Sequence, residues 1–343
     1  MSSDVAGRRD STRLSMLRGV VGSWEFALLV ILAVTLVGSE LWVDNFANTI
    51  TVTFLLLDVV PIALMATALT LVVITGEIDL SVASMLGLTS AVMGQLWFSG
   101  MTLEFAIVLC ILLGAVLGAV NGLFVAGLGL PSLAVTIGTL ALYRGLSYVV
   151  LGDRAVADFP FDWTDRAIST IGGTGVPVAV IPTVALAILF GITLHSTPIG
   201  RALFAMGNNE DTARFSGISV AWTKFWLFVA SGVMSSLAGV FWTFRYASAR
   251  ADNGFGLELA VVAAVLLGGV SIFGGRGSLF GVLTAVVLLA TLQRTLQLAS
   301  VTDEVLNLVT GSLLILSVVV PNIVQMINDR IRRPGAPVPE AAP

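Results

Sequence analysis

Residues 51–90 decide the fold of this chain, and they read TVTFLLLDVVPIALMATALTLVVITGEIDLSVASMLGLTS. A transmembrane helix needs about 20 largely apolar residues. Residues 51–75 meet that requirement with one charged side chain, Asp58, and a second apolar run begins at residue 80. Between the two runs stands GEID, 76–79, whose carboxylates are costly at membrane depth unless they are paired or hydrated. The stretch therefore predicts two membrane helices joined by a polar break.

The composition of the whole chain agrees with a membrane protein. Of its 343 residues, 57% are hydrophobic and 11% are charged, whereas soluble proteins carry about 25% charged residues. The mean hydropathy is +0.99. The formal net charge of -4 excludes the basic surface of a nucleic-acid-binding protein. The single cysteine, Cys110, excludes an internal disulfide.

Ten apolar segments predict an all-α integral membrane protein with about ten transmembrane helices. They are residues 24–43, 51–75, 80–97, 103–126, 132–151, 178–195, 221–244, 257–273, 278–299 and 304–323. We therefore divide the chain into an N-terminal arm, 1–23, a transmembrane domain, 24–323, and a tail, 324–343. The first helix is expected to be uncleaved, because no small-residue cleavage pattern follows its start. The tail ends in a Pro- and Ala-rich run that we expect to be disordered.

Lysine and arginine residues predict that both termini are cytoplasmic. With ten helices alternating across the membrane, the inner segments hold 11 of these cations and the outer segments hold 4, and the opposite orientation would reverse this bias. The inner cations are Arg8, Arg9, Arg13, Arg18, Arg201, Arg214, Lys224, Arg276, Arg330, Arg332 and Arg333. The outer cations are Arg154, Arg166, Arg245 and Arg250.

The sequence lacks a P-loop, a cluster of metal-binding Cys and His residues, and the G-x-S-x-G motif of serine hydrolases. Lys224 is the only lysine and follows no glycine-rich turn, which excludes a phosphate-binding P-loop. His195 is the only histidine, so a multi-histidine metal site is excluded as well. We expect His195 to be an interfacial residue at a helix end. The chain is therefore not expected to hydrolyse ATP by itself.

The break at 74–90 has two interpretations, and the sequence leaves both open. In the structural interpretation, Gly76 ends the second helix and Asp79 or Ser81 caps the third. In the functional interpretation, Glu77 and Asp79 belong to a broken helix that lines a transport path.

A polar segment, 196–220, follows the sixth predicted helix on the cytoplasmic side. Its central sequence, NNEDTARFSG over 208–217, predicts a short helix with an asparagine at its N-cap, acids in its first turn and a glycine at its end. Such a helix is suited to docking a partner, and a plain solvated loop is the alternative.

Glycines mark two further places. Gly114, Gly118 and Gly122 recur at a spacing of four, a small-residue stripe that lets helix backbones approach closely. Residues 260–281 contain six glycines around Arg276, which predicts close packing and a sharp cytoplasmic reversal. Arg276 itself is expected to anchor the membrane interface.

Four sequence blocks occur in a characteristic order: GEIDLSVAS at 76–84, LPSLAVTIGTLALYRGLS at 130–147, TPIGRALFAMGNNEDTARFSGI at 197–218 and LGGVSIFGGRGSLFG at 267–281. They resemble the permease subunits of bacterial monosaccharide ABC importers, which serve ribose, xylose, arabinose, rhamnose and related solutes, with the autoinducer-2 importers as near neighbours. The resemblance covers roughly residues 25–325 and identifies the family more sharply than the solute.

The resemblance implies a type II ABC importer-like permease fold in the bacterial plasma membrane, in which helices two to five and seven to ten form an inverted repeat. Two permease subunits, identical or related, would form the pathway within the membrane lipid. A cytoplasmic ABC ATPase pair would bind ATP and Mg²⁺, so this chain is expected to hold no cofactor. A solute-binding protein would dock outside.

The resemblance also assigns expected roles to residues. The ATPase-coupling helix of the related fold lies between helices six and seven, which is the loop 196–220 here. Coupling is expected at Gly207, Asn208, Asn209, Glu210, Asp211, Arg214 and Gly217. The translocation path is expected at Glu77, Asp79, Ser81, Ser84, Thr136 and Thr139. Docking of the binding protein is expected at Arg154, Arg166, Arg245 and Arg250.

Two positions depart from the family pattern. Glu77 stands where many members carry a second glycine, and Ala83 stands where glycine is common. The Glu77 form most resembles the rhamnose-type branch. The alternative function is an ion-coupled secondary transporter, which would require carboxylates inside the bundle. The candidates are Asp58, Glu77, Asp79 and Glu258. These carboxylates form no obvious relay in the sequence.

Overall fold

The computed structural model describes residues 24–302, 304–306, 308–309, 311–312, 315–316 and 319. The predicted arm, 1–23, and the predicted tail, 324–343, lie outside the described residues. The described chain is helical, and its only strand-like contacts are two isolated antiparallel bridges, Val156 to Ala249 and Thr170 to Pro177.

Twelve α-helices lie between residues 24 and 298 of the described chain. They are α1 Trp24–Trp42, α2 Thr49–Ile74, α3 Val82–Phe98, α4 Leu103–Gly122, α5 Ser132–Leu151, α6 Phe161–Ile168, α7 Val180–Ser196, α8 Pro198–Asn208, α9 Glu210–Phe215, α10 Val220–Arg245, α11 Leu257–Leu267 and α12 Leu279–Leu298. A π-helical turn, Leu123–Gly127, extends α4. The described residues between 304 and 319 are also helical.

Within the described residues, six helices are long and apolar enough to cross a membrane, namely α1, α2, α4 with its π-helical turn, α5, α10 and α12. The pair α7 and α8, bent by 67°, adds a seventh if it is one broken span. Helices α3 and α11 are apolar but have 17 and 11 residues, fewer than the about 20 that span a bilayer. The described residues therefore support six or seven of the ten predicted spans. The tenth predicted segment, 304–323, is only partly described.

Two predictions about the helices were wrong, one about where a helix ends and one about how many helices a segment contains. The eighth predicted helix, 257–273, ends at Leu267 because Gly268 and Gly269 follow, and Gly269 adopts a φ of 89° that favours glycine. The segment 196–220, predicted to be cytoplasmic, contains two helices instead of one. Thr197 caps the additional helix, α8, and accepts a hydrogen bond from the backbone N–H of Gly200.

Helix α2 lies at the centre of the bundle. Its residues from Val60 to Ile74 are all buried, as expected for a helix that is apolar on every side. It contacts α10, α12, α7 and α11, and α10 also packs along α4 and α3. The core is therefore built around α2 and α10, whereas most residues of α1 are exposed at the surface of the chain.

The predicted glycine stripe forms the contact between α4 and α10. A Cβ atom added to Gly118 would overlap the carbonyl oxygen of Phe228, and one added to Gly114 would overlap the carbonyl oxygen of Gly232. Backbone therefore lies directly against backbone at this crossing, which confirms the close approach that the stripe predicts.

Candidate functional site

Residues 75–81 form a non-helical link between α2 and α3, which we call the junction. Gly76 has a φ of 83°, a left-handed conformation that side chains disfavour, so α2 ends where the sequence predicts. The chain re-enters a helix at Val82, with Ser81 in the N-cap position. The predicted break in the apolar run is therefore real.

Two glycines from distant segments, Gly207 and Gly275, contact the start of the junction through their backbones. The N–H of Gly275 donates a 2.9 Å hydrogen bond to the carbonyl oxygen of Ile74, the last residue of α2. A Cβ atom on Gly207, near the end of α8, would overlap both that carbonyl oxygen and the backbone nitrogen of Gly275. Three segments distant in sequence thus meet where only glycine fits.

Helix α5 contacts the middle of the junction through two hydroxyl groups. The N–H of Ile78 donates to Ser132 Oγ at 3.1 Å, and Thr136 Oγ1 donates to the carbonyl oxygen of Ile78 at 3.1 Å. The four sequence blocks that begin at residues 76, 130, 197 and 267 therefore converge at one end of the bundle.

Asp79 organises a buried polar network at the end of the junction. Its side chain is fully buried. Oδ1 accepts hydrogen bonds from the N–H of Ser81 at 3.0 Å and from Ser81 Oγ at 2.6 Å, and Oδ2 accepts one from Ser231 Oγ at 2.8 Å. Asn121 Nδ2 donates to Ser81 Oγ at 2.8 Å. The carboxylate thereby ties the start of α3 to α10 and, through Asn121, to α4.

Glu77, the second carboxylate of the junction, lies in an ion-pair network. Lys224 Nζ, on the first turns of α10, is 2.6 Å from Glu77 Oε1 and 2.6 Å from Glu210 Oε2 on α9. Glu210 Oε1 also pairs with Arg214 Nη2 at 3.0 Å. Hydrogen bonding to Lys224 lowers the pKa of Glu210 below its ordinary value. A cavity of about 300 Å³ adjoins these four side chains.

Helix α9 has the ends that the sequence predicts. Asn209, one of the two candidate caps, occupies the N-cap and accepts a 2.7 Å hydrogen bond from the N–H of Thr212. Gly217 follows the helix with a φ of 85°, while Asp211 and Phe215 are exposed. Asn208, the other candidate, instead ends α8. A short, capped helix is thus present in place of a plain loop.

The remaining candidates for the translocation path are buried within this chain. Ser84 Oγ donates to the carbonyl oxygen of Ser81 at 2.8 Å, and Thr139 Oγ1 donates to that of Thr136 at 3.4 Å. Both side chains are enclosed by the bundle in this conformation. Their contact with a solute stays a prediction.

Three of the four arginines that were predicted on the outer side are exposed, at the end of the bundle opposite the junction. Arg154 donates to Gln95 Oε1 at 3.1 Å, Arg250 pairs with Asp252 through two bonds of 2.8 and 3.0 Å, and Arg166 lies on α6. Arg245 differs, because its side chain is 6% exposed and pairs with Asp58. It offers far less docking surface than the other three, and docking at all four stays a prediction.

Sequence reasoning missed the roles of Lys224 and Arg144. Arg144 Nη1 donates to the carbonyl oxygens of Ala251 and Asn253 at 3.1 and 2.8 Å, which fixes the loop before α11 against α5. The signal for Lys224 was its isolation, because a lone lysine among apolar residues near a helix start needs a charged partner. Within the described residues, no group of His, Cys, Asp and Glu side chains could hold a metal ion.

Comparison with known proteins yields one family and a set of close relatives. Residues 51–318 match the family described as branched-chain amino acid transport system / permease component. The autoinducer 2 import system permease protein LsrD of Escherichia coli O9:H4 (strain HS) is 33% identical over 327 residues, which cover 92% of this chain and 98% of that protein. LsrD of Yersinia enterocolitica serotype O:8 is 33% identical over 302 residues, with 86% and 91% coverage. No solved structure matches the chain.

Proposed function

The chain belongs to the permease family of ABC importers that also contains the autoinducer 2 permeases, and from this premise we propose that it forms the membrane path for a small polar solute. The observation that supports this most is the 33% identity to an autoinducer 2 permease over 92% of the chain. We propose a monosaccharide or a similar small polyol as the solute, with rhamnose and autoinducer 2 as the first candidates.

The proposed assembly contains two permease subunits, a cytoplasmic ABC ATPase pair that binds ATP and Mg²⁺, and an external solute-binding protein. Each permease subunit would cross the bacterial plasma membrane ten times and contain an inverted repeat. In this arrangement α9 is the coupling helix, which docks on the ATPase, and the exposed outer arginines face the binding protein. Alternating access requires different contacts with solute or partners in its two states, because equal affinity shifts no equilibrium.

Uptake by reconstituted vesicles tests the proposed function. The permease is assembled in liposomes with the ABC ATPase and the solute-binding protein that the proposal expects from neighbouring genes. The vesicles are then offered labelled ribose, xylose, arabinose, rhamnose and autoinducer 2. We expect uptake of one of these solutes to require ATP and to persist when a protonophore removes the proton gradient. Uptake that ignores ATP and stops with the protonophore would instead support the ion-coupled alternative.

The proposed orientation gives a second prediction. With Cys110 replaced by serine, a cysteine at Thr174 should react with a membrane-impermeant maleimide in intact cells, because this residue is exposed after α6 and the proposed orientation puts it outside. A cysteine at Ser216, exposed beside α9, should react only after the cells are lysed. Labelling of Ser216→Cys in intact cells would invert the proposed topology.

A further inference from the structure

We infer that Lys224 is the positioning residue that links the coupling helix to the junction, and that its bond to Glu210 is the releasable part of this link. The inference rests on the proposed function, because it concerns how ATPase motion would enter the membrane domain. No charge motif of the sequence indicates it, since Lys224 and Glu210 lie 14 residues apart on different helices and Glu77 is distant from both in the chain.

The geometry places one ammonium group between two carboxylates on different elements. Lys224 Nζ is 2.6 Å from both Glu77 and Glu210, and its side chain is 10% exposed. Among the ion pairs of the described residues, those of Lys224 alone connect the junction to α9. An ammonium group that is largely removed from water is costly without a partner, so Lys224 must keep at least one carboxylate in every state.

The two carboxylates differ in how easily they can leave. Glu77 is 15% exposed, whereas Glu210 is 42% exposed and also holds Arg214 at 3.0 Å. If α9 moves outward, Glu210 retains Arg214 and water, while Lys224 retains Glu77. This movement leaves no buried charge unpaired. The bond between Glu210 and Lys224 can therefore open at a lower free-energy cost than the bond between Glu77 and Lys224.

The connection continues from Lys224 into the core of the bundle. Ser231 follows Lys224 by two helical turns on the same side of α10 and donates to Asp79 at 2.8 Å. Helix α10 is thus attached to the junction at two points, through Glu77 and through Asp79. A displacement of α9 that acts on Lys224 therefore acts on a unit composed of α10 and the junction.

A distance measurement tests the inference. Spin labels are attached at Thr212→Cys on α9 and at Leu128→Cys, both exposed, with Cys110 replaced by serine. Leu128 precedes Gly129, which lines the same cavity as Glu77 of the junction. In the nucleotide-free permease, some molecules should have the two labels close together and others should have them far apart. Lys224→Met should lower the ratio of the first population to the second by about tenfold, because the ion-pair link is lost. Lys224→Arg should restore the close population, and Arg276→Gln, which removes a cation at the same end, should leave it unchanged.

A second variant distinguishes loss of the ion pair from misfolding. Glu210→Gln removes only the exposed partner, so the protein should fold and still lose part of the close population. Label distances in Lys224→Met and Glu210→Gln that equal those of the parent permease would overturn the inference. The assembled transporter gives a separate readout: if adding ATP and Mg²⁺ moves α9 in the parent, the proposed function is supported, and if the ATPase neither binds nor moves α9, that function fails whatever Lys224 does.

Discussion

Gly118→Ala should destabilise the folded permease by about 3 kcal/mol, although it adds a single methyl group to an apolar helix. The new Cβ atom would overlap the carbonyl oxygen of Phe228 and press on the backbone carbon of Phe228 and the Cα of Val229. These are backbone atoms, so no side chain can rotate to relieve the contact. Helices α4 and α10 would have to separate along the central crossing of the bundle.

The measurement can use the only cysteine of the chain. Cys110 is buried, so a fluorogenic maleimide reacts with it as the detergent-purified protein unfolds on heating. Gly138→Ala is the matched control, because this glycine also lies inside a helix and a Cβ atom there meets nothing within 4 Å. That change should leave stability equal or raise it by about 0.5–1 kcal/mol. Equal unfolding temperatures for both alanine variants would show that the crossing tolerates a side chain.

Much of the fold could be predicted from the sequence because its determinants are local. The apolar runs place α1, α2, α4, α5, α7, α10 and α12 within two residues of their observed ends, apart from the π-helical turn. Gly76 and Asn209 mark helix ends through backbone conformation and capping, which depend on neighbouring residues alone. Helix α8 was missed because its apolar residues follow a 67° bend and were assigned to a loop.

The chemistry of the candidate site was harder to predict, because it arises from contacts between distant segments. Sequence reasoning selected Glu77 and Glu210 for separate roles, yet Lys224 brings their carboxylates to one ammonium group. Apolar periodicity does not encode such pairing. The same holds for Arg245, which charge counting places at the outer surface and which folding pairs with Asp58.

Asp79→Ala should lower the free energy of unfolding by several kcal/mol. The substitution leaves three buried donors, the N–H and hydroxyl of Ser81 and the hydroxyl of Ser231, without their acceptor. Each buried donor left without a partner costs about 1–3 kcal/mol, and the hydroxyl groups recover part of this when they turn toward helix carbonyls. The unfolding temperature reported by Cys110 should therefore fall well below that of the parent protein.

Two controls separate the buried network from the loss of a negative charge. Asp252→Ala removes a carboxylate from an exposed pair with Arg250, and such pairs contribute about 0–1 kcal/mol. Asp79→Asn keeps one oxygen for Ser81, and its amide can donate to Ser231 Oγ. Its loss of stability should therefore lie between the losses caused by Asp252→Ala and by Asp79→Ala. If Asp79→Ala unfolds at the temperature of Asp252→Ala, the three donors have other partners, and the carboxylate does not hold α3 to α10.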